Sequence, residues 1–274
     1  DQPTYDSVPY SIVLDRVFVH GHPTKGQQRC ISINGRDMEV RNSYVTDCES
    51  FAYDSQAIAA FNAPGPLRII NNYLEATGEN LMLGGADPRI SGLIQSDVEI
   101  RLNHFFKPVA WQNPILARPP APSAGVTGSG SGHLQPGTHY FTVVALLEAG
   151  GDIALSAQSE ETSVAVGEGN VAVVLNWGAV AGADRYRIYH GDWLGGQNRY
   201  IETTGSETQL TYRADAEVWT PPPTAAQRWN VKNLLELKNA QRVLIDGNVF
   251  EFLWPASQNG YAILFTPAND NGGA

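Results

Sequence analysis

The chain has 274 residues and a formal net charge of −10, with 18 basic residues against 28 acidic ones. This acidity argues against nucleic acid as a partner, because binding a phosphate backbone needs a basic surface. No apolar run reaches the roughly 18 residues that a membrane span requires. The length suits one large or two ordinary domains.

The composition also bears on where the protein works. Lysine is scarce while Asn, Thr, Ser and Gly are plentiful, which is typical of exported proteins, so a secreted protein is predicted. The sequence starts at Asp1 and not at methionine, so we expect a processed or trimmed chain. Cys30 and Cys48 either pair or remain two buried thiols, and two cysteines alone do not decide between these alternatives.

An eight-residue pattern recurs five times and organises the chain. Each copy has apolar residues at its first, third and eighth positions; the copies are 12–19, 38–45, 67–74, 98–105 and 243–250. The last three copies place Asn72, Asn103 and Asn248 at the sixth position. Alternating apolar residues indicate a strand with one buried face, and a recurring period indicates stacked repeats.

A second apolar segment follows most copies, at 30–33, 57–61, 80–83, 235–237 and 262–265. Two or three short strands per repeat, joined at Asn, Gly and Asp corners, describe one rung of a parallel β-helix, and stacked rungs share a continuous core. A helical solenoid is disfavoured by the glycines and β-branched residues. Residues 11–115 and 227–267 are therefore predicted to form one β-helix, with the three asparagines stacked at a corner.

The repeat pattern ends near Arg118, where a proline-rich stretch begins. Alternating strands follow at 137–145, 171–177, 183–189 and 208–212, separated by turns, which predicts a small β-sandwich. The fold class is thus all-β, a right-handed parallel β-helix at 1–118 and 224–274 with a sandwich inserted at 119–223. Corners tolerate such insertions.

The rungs resemble the right-handed parallel β-helix proteins of bacteria, the group that includes pectate lyases, polygalacturonases and phage tailspikes. Residues 78–85 and 259–265 resemble a secreted branch of that group, and the resemblance covers 1–115 and 227–274. The insert resembles a fibronectin type III domain in its segments 175–177 and 185–189. The resemblance implies a fold and no single activity, because β-helices host lyases, hydrolases, isomerases and binding proteins.

Four charged residues are the candidate catalytic groups. Asp54, Glu79 and Glu236 are expected at one edge of the sheet built from the second apolar segments, where carboxylates can divide into acid and base. Lys238 beside them would suit a lyase that withdraws a proton next to a uronic carboxylate. The alternative is that Asp54 and Glu79 only cap corner amides. The candidate substrate-binding residues are Tyr53, Gln56, Phe61, Asn80 and Trp254, with core or cap roles as the alternative for the aromatic ones.

Other patterns in the sequence are better explained by structural roles than by catalysis or metal binding. The outward column that contains Asp15, Arg41, Arg101 and Asp246 predicts a structural ladder of ion pairs. His20 and His22 have no third His or Cys nearby, which favours a solvated loop over a metal site. No cofactor is expected, with a calcium ion left open. The glycine-rich stretches lack the strand-to-helix context of a phosphate loop.

The sequence therefore predicts an extracellular carbohydrate-active protein that holds a polysaccharide along the β-helix face, as a glycoside hydrolase or polysaccharide lyase. The alternatives are a non-catalytic carbohydrate-binding module and a phage or surface-fibre adhesin. Paired carboxylates about 5–10 Å apart beside a groove would favour hydrolysis. A flat aromatic strip without paired acids would favour binding. Neither the sugar nor the oligomeric state follows from the sequence.

Overall fold

The computed structural model describes residues 2–128, 132–169, 171–214 and 218–269. Its regular structure is almost entirely β, with two short 3₁₀ turns at Tyr5–Ser7 and Val109–Gln112. The chain divides into two compact units: the first runs up to Gln112 and resumes at Trp229, and the second is Asn113–Arg228. Within the described ranges, no helix is long and apolar enough to cross a bilayer.

In the first unit the chain passes five times through three parallel sheets, and each pass, here called a rung, adds one strand to each sheet. The first sheet contains β1 (Tyr10–Asp15), β4 (Arg36–Arg41), β7 (Leu67–Ile70), β10 (Gln95–Arg101) and β22 (Ala240–Asp246). The second contains β2 (Phe18–His20), β5 (Tyr44–Cys48), β8 (Tyr73–Ala76), β11 (His104–Phe106) and β23 (Val249–Glu251). The third contains β3 (Arg29–Ser32), β6 (Gln56–Ala60), β9 (Glu79–Leu83), β21 (Leu235–Leu237) and β24 (Ile263–Phe265).

Each eight-residue copy bends through a corner and so supplies two strands, where the sequence pattern predicted one. The corner lies at the fifth position, whose residue has a φ between 52° and 65° in every rung. These residues are Arg16, Asn42, Asn71, Leu102 and Gly247. The eighth position, exemplified by the fully buried Leu74 and Phe105, therefore faces the core from the second sheet.

The predicted asparagine stack is confirmed. Asn72 Nδ2 donates to Asn103 Oδ1 at 3.0 Å, and Asn103 Nδ2 donates to Asn248 Oδ1 at 3.0 Å. Each amide also binds the backbone of the rung before it: Asn103 Oδ1 accepts the Asn72 N–H, and Asn103 Nδ2 donates to the Ile69 carbonyl. The stack satisfies buried backbone groups that the corner takes out of the sheet ladders.

Two features tie neighbouring rungs together. Cys30 on β3 and Cys48 on β5 form a disulfide, which settles the choice between a pair and two thiols. The predicted ion-pair ladder is present in part on the first sheet, where Arg41 pairs with Asp15 at 3.3 Å and Arg101 pairs with Asp246 at 3.1 Å. Such exposed pairs contribute little stability.

The second unit contains two antiparallel sheets. The smaller has β12 (Ser123–Thr127), β16 (Ala172–Asn176) and β19 (Gln209–Tyr212). The larger has β13 (Gly137–Ala149), β14 (Asp152–Leu155), β15 (Thr162–Val166), β17 (Arg185–Gly191), β18 (Arg199–Glu202) and β20 (Val218–Trp219).

The second unit starts before the predicted 119 and ends after the predicted 223. The flanking segments pair with each other and with the unit itself. The Ile115 N–H donates to the Gln227 carbonyl at 3.0 Å, and the Gln227 N–H donates to the Leu155 carbonyl at 2.8 Å. The chain leaves the first unit between the second and third strands of the fourth rung.

Candidate functional site

The predicted catalytic residues lie along the third sheet. Its register aligns Ser32, Ala59, Met82, Glu236 and Leu264 in one outward column, as the repeat spacing predicted. Glu79 and Glu236 are both buried, and the charges of Asp54 and Glu236 act on Glu79. Burial is the main reason that the pKa of Glu79 rises to about 7.

Each of these carboxylates already has a polar partner. Gln56 Nε2 donates to Glu79 Oε2 at 2.8 Å, and Asn233 Nδ2 donates to Glu236 Oε2 at 3.0 Å. Lys238 Nζ lies 3.5 Å from Glu236 Oε1. The Asp54 carboxylate pairs with Lys232 Nζ at 2.6 Å and accepts a hydrogen bond from Asn230. The third sheet therefore holds a network of paired groups.

The predicted substrate-binding residues are dispersed. Tyr53 is exposed, and Phe61 and Trp254 are half-buried. Gln56 is buried between Arg29 and Glu79, with Arg29 Nε donating to Gln56 Oε1 at 3.2 Å. Asn80 points into a corner, where its amide donates to two backbone carbonyls. These contacts give Gln56 and Asn80 structural partners inside the first unit.

A second constellation, which the sequence did not predict, lies on the outward face of the second sheet. Here Phe18, Tyr44, Tyr73 and His104 occupy one cross-strand register, and Phe106 packs beside them. We call these five residues the aromatic row. Tyr44 and Tyr73 stack with ring centroids 4.2 Å apart, and Phe18 lies 5.7 Å from Tyr44. Phe18 and Tyr44 are exposed by 65% and 46%, so the row presents ring surface to solvent.

Three carboxylates adjoin the aromatic row. One oxygen from each of Asp47, Glu49 and Glu75 lies within 4.8 Å of the others, and we call these residues the carboxylate trio. Tyr73 connects row and trio, because its hydroxyl donates to Glu75 Oε2 at 2.8 Å. Glu75 and Glu49 are buried, whereas Asp47 is half-buried.

A β-bulge explains why the carboxylate trio forms. The pairing of β5 with β8 shifts between Val45 and Cys48, so β5 carries one extra residue there. The extra residue is Asp47, whose φ is 55°. Without the shift, strict alternation after the inward Val45 would turn Glu49 toward the core and Cys48 toward solvent. Bulges of this kind redirect side chains and occur often next to active sites.

The environment of Glu49 favours its protonated form. Trp111 Nε1 donates to Glu49 Oε1 at 2.8 Å, and Glu49 Oε2 has no hydrogen-bond partner among the described residues. Burial raises the pKa of Glu49 to about 8, and the charges of Asp47 and Glu75 add to the effect of burial. A proton on Glu49, or a single cation such as calcium, would relieve the repulsion among three carboxylates this close together.

This arrangement predicts how folding stability depends on pH. The pKa of Glu49 rises from about 4.5 to about 8 on folding, so the folded state holds more protons between these values. Glu49 should therefore stabilise the folded state most below pH 4.5. Its contribution to the free energy of unfolding should fall as the pH rises toward 8. We expect the thermal unfolding midpoint to decrease from pH 5 to pH 7, and Glu49→Gln to reduce that decrease.

Two other groups with shifted pKa values also affect this pH dependence, so the unfolding midpoints are best compared below pH 7. Glu79, with a pKa of about 7, contributes in the same direction, so some decrease should remain in Glu49→Gln. Buried Lys107, whose pKa burial lowers to about 7, contributes in the opposite direction above that pH. Equal slopes in the wild type and Glu49→Gln would contradict the protonation of Glu49. If calcium raises the unfolding midpoint at pH 7 in the wild type but not in Glu49→Gln, the carboxylate trio is a cation-binding site.

Comparison of the sequence with protein-family models found no match, and comparisons with curated proteins and with solved structures also found none.

Proposed function

We propose that the protein is a secreted carbohydrate-active protein that binds a polysaccharide along the aromatic row and hydrolyses it at the carboxylate trio. The observation that carries the proposal is the contact between the two features, through the hydrogen bond from Tyr73 to Glu75. Glycoside hydrolysis needs a pair of carboxyl groups beside the bound sugar, and the aromatic row leads to such a group of carboxylates.

The proposal extends to the fold of each unit. The first unit would be a right-handed parallel β-helix of the kind found in pectate lyases and polygalacturonases, and the second a fibronectin type III-like sandwich. Support comes from the rotation of successive strands through three parallel sheets, and from two antiparallel sheets in the inserted unit. The disulfide between Cys30 and Cys48 supports export, since disulfides persist in oxidising compartments.

The aromatic row suits an extended glycan. Adjacent strands lie about 4.8 Å apart, a spacing comparable to the length of one sugar unit, so successive rings would meet successive sugars. Aromatic faces offer flat apolar surface, and Tyr also carries a polar group for hydrogen bonding. The net charge of −10 favours a neutral or weakly charged glycan over a strongly anionic one.

The carboxylate trio divides into chemical roles by environment. Protonated Glu49 would donate its Oε2 proton to the glycosidic oxygen as the bond from that oxygen to the anomeric carbon breaks. Half-buried Asp47, the most accessible of the three, would attack the anomeric carbon and form a glycosyl ester. Water, deprotonated by Glu49, would then release the sugar and regenerate Asp47. Carboxyl groups about 5 Å apart are typical of this retaining mechanism.

A second candidate function is glycan binding without cleavage, by a carbohydrate-binding module or a surface adhesin. The specific observation in its favour is the burial of Glu49 and Glu75, which are each only 6% exposed. A substrate would have to displace the covering residues to reach them. On this alternative the aromatic row keeps its role and the carboxylate trio is structural.

The test is incubation with a panel of plant and microbial polysaccharides between pH 4 and pH 9, with and without calcium. Depletion of the glycan by immobilised protein measures binding, and new reducing ends measure cleavage. Binding with new reducing ends supports the hydrolase. Binding without product under every condition supports the module or adhesin, and unsaturated products would indicate a lyase. Failure to bind any glycan would contradict both candidates.

The aromatic row makes its own prediction. Tyr44→Ala removes an exposed ring that stacks on Tyr73, and we expect about tenfold weaker binding to the glycan found in the panel. Tyr261→Ala is the matched control, because Tyr261 is similarly exposed, at 50%, but lies outside the row. Affinity electrophoresis or calorimetry would measure both variants. Equal losses in the two would rule out the row as the platform.

A further inference from the structure

Two buried histidines and an aspartate converge in the second unit. They are far along the sequence from the aromatic row and the carboxylate trio. His139 lies on β13 and His190 on the adjacent antiparallel β17, and Asp192 follows β17 directly. His139 Nδ1 and His190 Nε2 are 2.8 Å apart. Asp192 Oδ1 lies 3.4 Å from the first nitrogen and 3.5 Å from the second. Three potential ligand atoms thus form one small triangle.

The outer nitrogens of both imidazoles are held by other groups. His139 Nε2 lies 2.7 Å from the Gln135 carbonyl oxygen, which only accepts, so this nitrogen carries the proton. Nδ1 of neutral His139 therefore carries a lone pair that can accept a proton or bind a metal ion. His190 Nδ1 lies 2.8 Å from the Tyr212 hydroxyl, which can either donate or accept. Each imidazole thus has a partner that fixes its ring, as in metal sites where an outer hydrogen bond orients the ligand.

Asp192 is held in the same way. Arg199 Nη2 pairs with Asp192 Oδ2 and leaves Oδ1 turned toward the histidines. Arg199 is itself anchored, with its guanidinium over the Trp219 ring at 5.4 Å. The three candidate ligands therefore have fixed orientations before any ion arrives, which lowers the cost of binding.

The triangle has the dimensions of one face of a tetrahedral complex. Bonds of about 2.0–2.1 Å from zinc to nitrogen or oxygen place neighbouring ligand atoms about 3.3 Å apart. The observed edges are 2.8, 3.4 and 3.5 Å. A cavity of about 340 Å³, lined by the three residues, Arg199 and residues 133–139, opens onto the triangle and leaves room for a fourth ligand. Two imidazoles favour zinc and similar metals over calcium or magnesium, which prefer oxygen.

We propose that His139, His190 and Asp192 bind one divalent transition-metal ion, zinc or a metal of similar ligand preference, through Nδ1, Nε2 and Oδ1. The fourth position faces the cavity, where water or an oxygen of a small ligand would coordinate. Binding shifts the proton of His190 from Nε2 to Nδ1, whose hydrogen bond then runs to the Tyr212 oxygen. The site is built from residues of the second unit alone, and this inference does not rest on the proposed function.

The rival interpretation is a chain of hydrogen bonds without a metal. In it Tyr212 donates to His190, His190 donates to His139, and His139 donates to Gln135. Both interpretations use the same contacts, but only the metal needs Asp192 Oδ1 as a ligand. Asp192→Asn therefore separates them, and its half-exposed side chain makes this variant compatible with folding.

The experiment uses the full chain without a histidine tag, stripped with a chelator. Cobalt(II) is added and the intensity of its visible absorption is followed, and zinc affinity is then measured by competition. We expect one ion per chain with the intense absorption of a tetrahedral site. Asp192→Asn and His139→Gln should each weaken zinc binding by about tenfold to a hundredfold. Tyr212→Phe, which keeps the ring, should weaken it about tenfold.

His22→Gln is the matched control, because His22 is a histidine of the first unit that lies outside the triangle, and its affinity should equal that of the wild type. Circular dichroism without metal checks that each variant folds. No saturable binding by the wild type would overturn the proposal. Binding that Asp192→Asn leaves unchanged would overturn it too and support the hydrogen-bond chain.

Discussion

Replacing Glu49 by glutamine is expected to lower the rate of the proposed polysaccharide hydrolysis at least about a hundredfold, the usual scale of general acid catalysis. Glutamine keeps the shape of the side chain and its carbonyl still accepts the Trp111 indole N–H, so the fold should be preserved. The variant lacks the proton that Glu49 Oε2 would give to the leaving oxygen. New reducing ends measure the rate, and glycan depletion should show unchanged binding.

Two further variants make this result decisive. Glu168→Gln, at an exposed position of the second unit, should hydrolyse like the wild type. Glu79→Gln separates the two candidate sites, because Glu79 is the raised-pKa carboxyl of the third sheet. If Glu79→Gln is inactive while Glu49→Gln is fully active, the catalytic assignment moves to Asp54, Glu79 and Glu236. Activity in all three variants would exclude both sites from the chemistry.

The sequence predicted the repeats well because one physical demand recurs in each rung. Every rung must bury apolar side chains and satisfy the backbone at its corner, so residues such as Ile69 and Asn103 return at fixed spacing. The corner with the asparagine stack was predicted, but the bend at the fifth position, which divides each copy into two strands, was not. Its left-handed conformation is adopted by Arg16, Asn42 and Leu102 as well as by Gly247, and such mixed residue types leave no pattern in the sequence.

The carboxylate trio escaped prediction because a bulge reverses the alternation on which the sequence argument depends. Read with strict alternation, Glu49 falls on the inward side of β5 and has no reason to meet Glu75. The available signal was indirect. Cys48 is an apolar, buried residue at a position that strict alternation sends outward, and a buried cysteine paired with Cys30 would have indicated the shift.

The histidine triangle was beyond reach for a different reason. His139 and His190 come from strands of one antiparallel sheet that are far apart in the sequence, and their meeting depends on the register between β13 and β17. Nothing local fixes that register. His20 and His22, by contrast, are close together along the chain and therefore form a visible motif in the sequence.

Replacing Asn103 by alanine should cause a large loss of stability in the first unit. The buried side chain makes four hydrogen bonds, and its removal takes the asparagine partner from the Asn72 N–H and one bond from the Ile69 carbonyl. An unpaired buried group costs about 1–3 kcal/mol and each further lost hydrogen bond about 1 kcal/mol, so a total of about 4 kcal/mol is expected. For a domain of this size, that corresponds to a fall of about 10 °C in the unfolding midpoint.

A serine in an earlier rung suggests a control variant of intermediate stability for this prediction. Ser43 occupies the equivalent position one rung before Asn72, and its hydroxyl accepts the Val17 N–H at 3.1 Å. Asn103→Ser should therefore restore one of the lost bonds and fall between the wild type and Asn103→Ala. Asn259→Ala, at an exposed turn, should change the midpoint little. If Asn103→Ala were no more destabilising than Asn259→Ala, the backbone at the corner would have to be satisfied without the asparagine stack.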